Sequence, residues 1–151
     1  MKGKLIVETS ININAAPSKV WEALTTPKMI KKYLLGTEVS TDWKEGSAIL
    51  YKGQYQGKKY LDKGVIWKVV PEKELQSTYW SSLGGKEDRA DNYKLITYRI
   101  NEKNNKTILT LTQDNNKSER EKEHLTENWN QVLHKLKEVV EDDRGEYQYD
   151  L

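Results

Sequence analysis

The chain has no cysteine, which excludes disulfides, thiolate chemistry and cysteine-ligated metals. It also has no phenylalanine, although it carries five tryptophans and nine tyrosines. These aromatic rings therefore all carry a hydrogen-bonding atom, and a buried tyrosine or tryptophan usually needs a partner for it. Drift in amino-acid usage is one explanation; the other is a semi-polar cavity whose rings offer hydroxyls and indole N–H groups to a ligand. No apolar run approaches the roughly 20 residues of a membrane span. Met1 leads into Lys2, Lys4 and a strand-like run rather than an apolar segment, so no signal peptide is expected. An excess of one charge is missing as well: 25 basic residues face 23 acidic ones, leaving +2. The charges look interleaved, and no strongly basic face for nucleic acid or anionic lipid is implied. At 151 residues the expectation is one cytoplasmic domain over 1–151, monomeric, with a weak dimer left open.

The chain is organised around its last long helix, read as Ser118 to Glu141. Ser118 followed three residues later by Glu121 is a capping-box signature. Leu125, Trp129, Val132, Leu133, Leu136, Val139 and Val140 then recur in steps of three and four, one apolar stripe on a polar helix. Such a stripe needs a partner, and nearly everything before it reads as strand.

In order, Leu5 to Ile13 alternates as a half-buried strand. Pro17 opens a short helix carrying Val20, Trp21 and Leu24; Thr26-Pro27 caps and opens a second over Lys28 to Lys32. Thr37 to Ser40 is a brief strand. Ser47 to Lys52 and Lys59 to Val70 form a hairpin around Gly53 and Gly57, with Val65, Trp67 and Val69 sharing a face. Leu75 to Ser81 is a strand presenting Leu75, Ser77 and Tyr79 together, and Ser82 to Asn92 is the longest loop and the one expected to move. Tyr93 to Ile100 and Thr107 to Gln113 are paired strands around an Asn-rich turn. The core is expected over 5–141, with 144–151 a flexible tail. This is an α+β arrangement: two short helices after the first strand, about six or seven antiparallel strands, then one long helix.

Certain segments carry a resemblance. Ile11-Asn12, Ala15 and Pro17 leading into Val20-Trp21-Glu22-Ala23-Leu24-Thr25, then Gly64-Val65 through Val70-Pro71 with Leu75, then Thr97-Tyr98 and Thr107 to Gln113, resemble the START-like (SRPBCC, helix-grip) superfamily. Asn128-Trp129 with Leu133 and Leu136 resembles the closing helix of the branch named after the activator of heat-shock-protein-90 ATPase. The resemblance implies a helix-grip fold, a curved antiparallel sheet around the C-terminal helix with a deep hydrophobic cavity between them. Superfamily members bind lipids, sterols, polyketides or plant-type aromatic ligands there, and a few are cyclases or hydrolases. The matching segments include no counterpart of the chaperone activator's separate N-terminal domain, which makes co-chaperone activity the weaker expectation.

Catalytic groups are scarce. His124 and His134 lie ten residues apart on one helix, so they point about 80° apart and make a poor metal pair. The pairs Asp88 with Asp91 and Asp142 with Asp143 read as solvated charge, and no P-loop, G-x-S-x-G, H-E-x-x-H or G-x-G-x-x-G occurs. No catalytic residue, metal site or cofactor is assigned. The remaining constellation is aromatic. Trp67, Tyr79, Tyr98 and Trp129 are expected to point inward from different elements. Tyr33, Trp43, Tyr51 and Tyr55 are expected at the mouth, and Leu111, Leu133 and Gln113 on the walls. Gln113 would either orient a ligand oxygen or bond the backbone at the turn. The expected function is a binding module for a hydrophobic, aromatic or lipid-like small molecule, with a stress-related role in view. The alternatives are a protein-interaction domain modulating a chaperone or other partner, and an enzyme acting on a cavity-bound substrate.

Overall fold

The computed structural model describes residues 3–149, with side chains through residue 142. Its elements run β1 (Val7–Ile13), α1 (Pro17–Thr25), α2 (Pro27–Tyr33), β2 (Glu38–Ser40), β3 (Ala48–Tyr55), β4 (Lys58–Val70), β5 (Glu74–Tyr79), β6 (Lys94–Lys103), β7 (Lys106–Gln113) and α3 (Glu119–Tyr149). The seven strands form one antiparallel sheet in the order β1-β7-β6-β5-β4-β3-β2, the α+β helix-grip fold expected from the sequence. Prolines open both short helices at the position where a missing N–H leaves no bond unmade. Two-residue turns with positive φ, Gln56-Gly57 and Asn104-Asn105, close the β3–β4 and β6–β7 hairpins as the twist of the strands requires.

α3 lies along β1 and against α1 and α2. Its stripe is as read: Leu133, Leu136, Val139 and Val140 are buried, and Leu125, Trp129 and Val132 pack half-buried on the core. The cap differs in one detail. The Ser118 hydroxyl accepts the Glu121 N–H at 3.1 Å, but the Glu121 carboxylate reaches back to the N–H of Lys117, one residue further than a capping box. The helix continues beyond Glu141 to Tyr149; the tail expected over 144–151 falls where side chains lie outside the described residues.

The sheet bends at β4. The first part of this strand pairs with β3, and the register with β5 shifts between Ile66 and Lys68. Glycine permits the bend: a Cβ on Gly64 would stand 1.7 Å from the carbonyl oxygen of Thr78. The bulge also changes which side chains face in. Asp62, Gly64 and Ile66 are buried on the inner face, whereas Val65 and Trp67 point outward, Trp67 with 59% of its surface exposed. Counting back from Val69 by twos crosses the extra residue and lands on the wrong face, so the expected inward Trp67 is corrected to an outward one.

Candidate functional site

Between the inner face of the sheet and α3 lies a cluster of polar-tipped rings. Register places Tyr98 of β6 opposite Leu111 of β7, and Gln113 opposite both Ile96 and Val7. From α3, Trp129 meets this pair: its indole N–H donates to the Gln113 side-chain oxygen at 2.5 Å, and its ring stands edge-on to Tyr98 with centroids 6.3 Å apart. The Gln113 side-chain oxygen is thus used by an indole rather than by the backbone at the turn, which leaves its amide nitrogen as the group that could meet a ligand.

On the other side of the bend, Tyr51 of β3 and Tyr79 of β5 make an edge contact at 5.4 Å. The Tyr79 hydroxyl donates to Asp62, whose other oxygen accepts the N–H of Ser82 at 2.8 Å and its hydroxyl at 3.2 Å. Tyr33, buried at the end of α2, donates to the carbonyl of Ala23 at 3.0 Å. Leu111 and Leu133 are fully enclosed in the core, and Trp43 packs half-buried at its edge with φ +62. Tyr55 stands apart from the cluster, 56% exposed at the β3–β4 tip.

Burial dominates the electrostatics. It pushes the Tyr51 phenol up to about 12, helped by the nearby Asp62 charge and opposed by a hydrogen bond with Ser77. Burial likewise raises Tyr98, and it raises Tyr79 with the Asp62 hydrogen bond adding to the effect. Tyr33 rises through burial first, then through Tyr98 and Tyr51. All four phenols are therefore neutral through the ordinary pH range.

Two polar groups in this cluster lack a protein partner among the described residues: the Tyr98 hydroxyl and the amide nitrogen of Gln113. No fully enclosed side-chain polar atom is left unpaired. Both groups therefore border space that a water molecule can occupy. Asp62 is a site residue that motif reading passes over, because a lone carboxylate in a lysine-rich strand looks solvated. Its signal was its spacing, two and four residues before Gly64 and Ile66 on the inner face.

The outer face carries a separate groove of about 740 Å³. Ala48, Val65, Thr78 and Leu95 form its floor, one from each of β3, β4, β5 and β6, with Trp67 on its rim. Tyr93, on another side, is stacked against Trp80, and Lys63 lies over the Trp80 ring while pairing with Asp88 at 2.5 Å. The loop expected to be mobile is thus tied down, also through the Trp80 indole to the carbonyls of Lys86 and Glu87, and through Asn115 to the carbonyl of Asp91. His124 and His134 are exposed on α3, near Asn128 and Glu138 respectively. Among the described residues no three His, Asp or Glu side chains gather as a metal site, and no helix is long and apolar enough to cross a membrane.

Comparison with known proteins agrees with this architecture. The family model described as activator of Hsp90 ATPase homolog 1-like protein matches residues 14–141. No curated protein matches the chain in sequence. A protein of Cytophaga hutchinsonii, known from a solution structure, is 43% identical over 96% of this chain and 99% of its own, with a TM-score of 0.83. The Aha1 dimer from Colwellia psychrerythraea is 23% identical over 89% and 95%, TM-score 0.71. DynU16, from the dynemicin biosynthetic locus, is 17% identical over 92% of this chain but 48% of its own, TM-score 0.76. With the family model spanning residues 14–141 and a shared fold at 43% identity, the chain belongs to the activator of Hsp90 ATPase homolog 1-like family, a branch of the START-like, helix-grip superfamily.

Proposed function

We propose that this domain is a binding module that holds a neutral, hydrophobic small molecule between the sheet and α3. The family's fold is a ligand-binding one, and the observation that carries the reading is the pair of unpartnered polar groups, Tyr98 Oη and Gln113 Nε2, beside Trp129. A hydroxyl and an amide left unpaired among apolar walls lose hydrogen bonds unless water or a ligand supplies them. Apolar contact on the half-buried rings of Tyr98 and Trp129 would supply affinity at about 25 cal/mol per Å²; the two polar groups would set orientation.

A second reading, a surface that engages a chaperone or other protein, draws on the outer groove and its exposed Trp67. The name carried by the Colwellia structure and its dimeric state are consistent with it. One experiment separates the two. Lipophilic aromatic compounds are titrated into the wild type, Tyr98→Phe, Trp129→Ala and Trp67→Ala, with tryptophan fluorescence and melting temperature as readouts. The interior reading expects a response that Tyr98→Phe weakens about tenfold, that Trp129→Ala weakens too, and that Trp67→Ala leaves intact. No response from any compound, or an unchanged one in Tyr98→Phe, would overturn it.

A further inference from the structure

Basic and acidic residues nearly balance over the whole sequence, but the fold gathers five lysines at one end. Residues 31–38 and 52–61 contain Lys31, Lys32, Lys52, Lys58 and Lys59 against a single carboxylate, Glu38. The β2–β3 register sets Glu38 opposite Lys52, and the β3–β4 register sets Lys52, Gln54 and Tyr55 opposite Leu61, Lys59 and Lys58. The Thr37 hydroxyl meets that of Tyr60 at 2.6 Å, which fixes the α2–β2 connection beside the hairpin. Lys31 pairs with Glu38 at 3.5 Å; the other four lysines have no acidic partner among the described residues. The expectation of evenly mixed charge therefore fails at this end.

The same end exposes apolar side chains. Leu35 is 85% exposed, Tyr55 56% and Leu61 45%. Leu83, 44% exposed, follows Ser82, whose hydroxyl accepts the Leu61 N–H at 3.1 Å. Leu35 is the telling residue. It ends α2 in the left-handed region at φ +51, and the Gly36 N–H closes on the Lys31 carbonyl at 3.0 Å, a Schellman arrangement. Glycine is the usual residue there because a side chain is strained in that conformation. Here the position holds leucine, and its side chain gains no packing in return. Neither local geometry nor the core accounts for it.

Exposed apolar tips amid unpaired lysines complement an anionic bilayer: the lysines meet lipid phosphates and carboxylates while the tips enter the interfacial layer. We propose that this end, formed by the α2–β2 connection and the β3–β4 hairpin tip, is a docking surface for anionic lipid membranes. It does not depend on the interior reading, since none of its residues lines the Tyr98–Gln113 cluster.

The test is flotation of the full chain with vesicles of phosphatidylcholine, alone or with phosphatidylserine, at low and high salt. Wild type should float only with phosphatidylserine present and should be released by salt. Lys58→Glu with Lys59→Glu should reduce binding at least 25-fold, since each lysine near such a surface is worth about fivefold. Leu35→Gly should weaken binding several-fold while raising the melting temperature, because it relieves the left-handed strain; this separates docking from folding. Absence of flotation, equal binding to neutral vesicles, or wild-type binding by Leu35→Gly would each overturn the proposal. The first outcome would leave an acidic protein surface as the partner for this charge.

Discussion

Gly64 and Tyr98 mark opposite ends of what a single residue does in this fold. Gly64 lets β5 cross close to β4, and a methyl there meets a backbone carbonyl that cannot rotate away. Gly64→Ala should therefore destabilise by about 3 kcal/mol in urea unfolding. Gly84→Ala, where the added atom finds its nearest neighbour at an ordinary 3.4 Å, should change little. Among the phenols the contrast lies in the hydroxyl. Tyr79→Phe takes a hydrogen bond from the buried Asp62 carboxylate and should cost about 2 kcal/mol. Tyr98→Phe removes a hydroxyl that no described side chain meets, so its stability should stay within about 0.5 kcal/mol of wild type. Equal losses in the two variants would mean that Tyr98 has a structural partner and would remove the support for a ligand position there.

At the level of elements, α3 and β4 show what periodicity can and cannot reveal. The stripe from Leu125 to Val140 is visible because an uninterrupted helix keeps its phase, and the buried residues fall where the steps of three and four put them. The cap at its start is equally local, so Ser118→Ala should lower stability by about 1 kcal/mol and Leu136→Ala, fully enclosed, by about 3 kcal/mol, both measured by chemical denaturation. β4 is different. Its bulge leaves no composition signal, and one extra residue moves every side chain before it to the opposite face. Trp67 was misplaced for that reason, while Tyr79, Tyr98, Leu111 and Gln113, on strands without such a shift, were legible as inward. Asp62 was hidden by the same slip. The fold class and most of the interior site could thus be read from the chain. The partners of that site could not, because the bonds from Trp129 to Gln113 and from Tyr79 to Asp62 join residues 16 and 17 positions apart through tertiary contact alone.

For the molecule as a whole, replacing phenylalanine by tyrosine throughout the interior makes its stability depend on alkaline pH. Tyr33, Tyr51, Tyr79 and Tyr98 all have phenols raised by burial above the ordinary 10.0, Tyr51 to about 12. In the unfolded chain these groups release protons near their ordinary value, whereas in the folded chain they hold them. Their contribution is therefore complete below about pH 10 and is lost as pH rises toward the folded values. Within that window each phenol lowers the unfolding free energy by up to about 1.4 kcal/mol per pH unit. Urea midpoints should consequently be level through neutral and mildly alkaline pH and then fall steeply, with the absorbance of buried tyrosinate appearing only as the chain unfolds. Tyr98→Phe removes one of the four and should make the fall shallower by about one share. A midpoint that declines no faster than exposed lysine titration explains, or an interior phenol that ionises near its ordinary value while the fold persists, would mean that bulk water enters between the sheet and α3 freely, and an apolar ligand would then have no dry wall to bind.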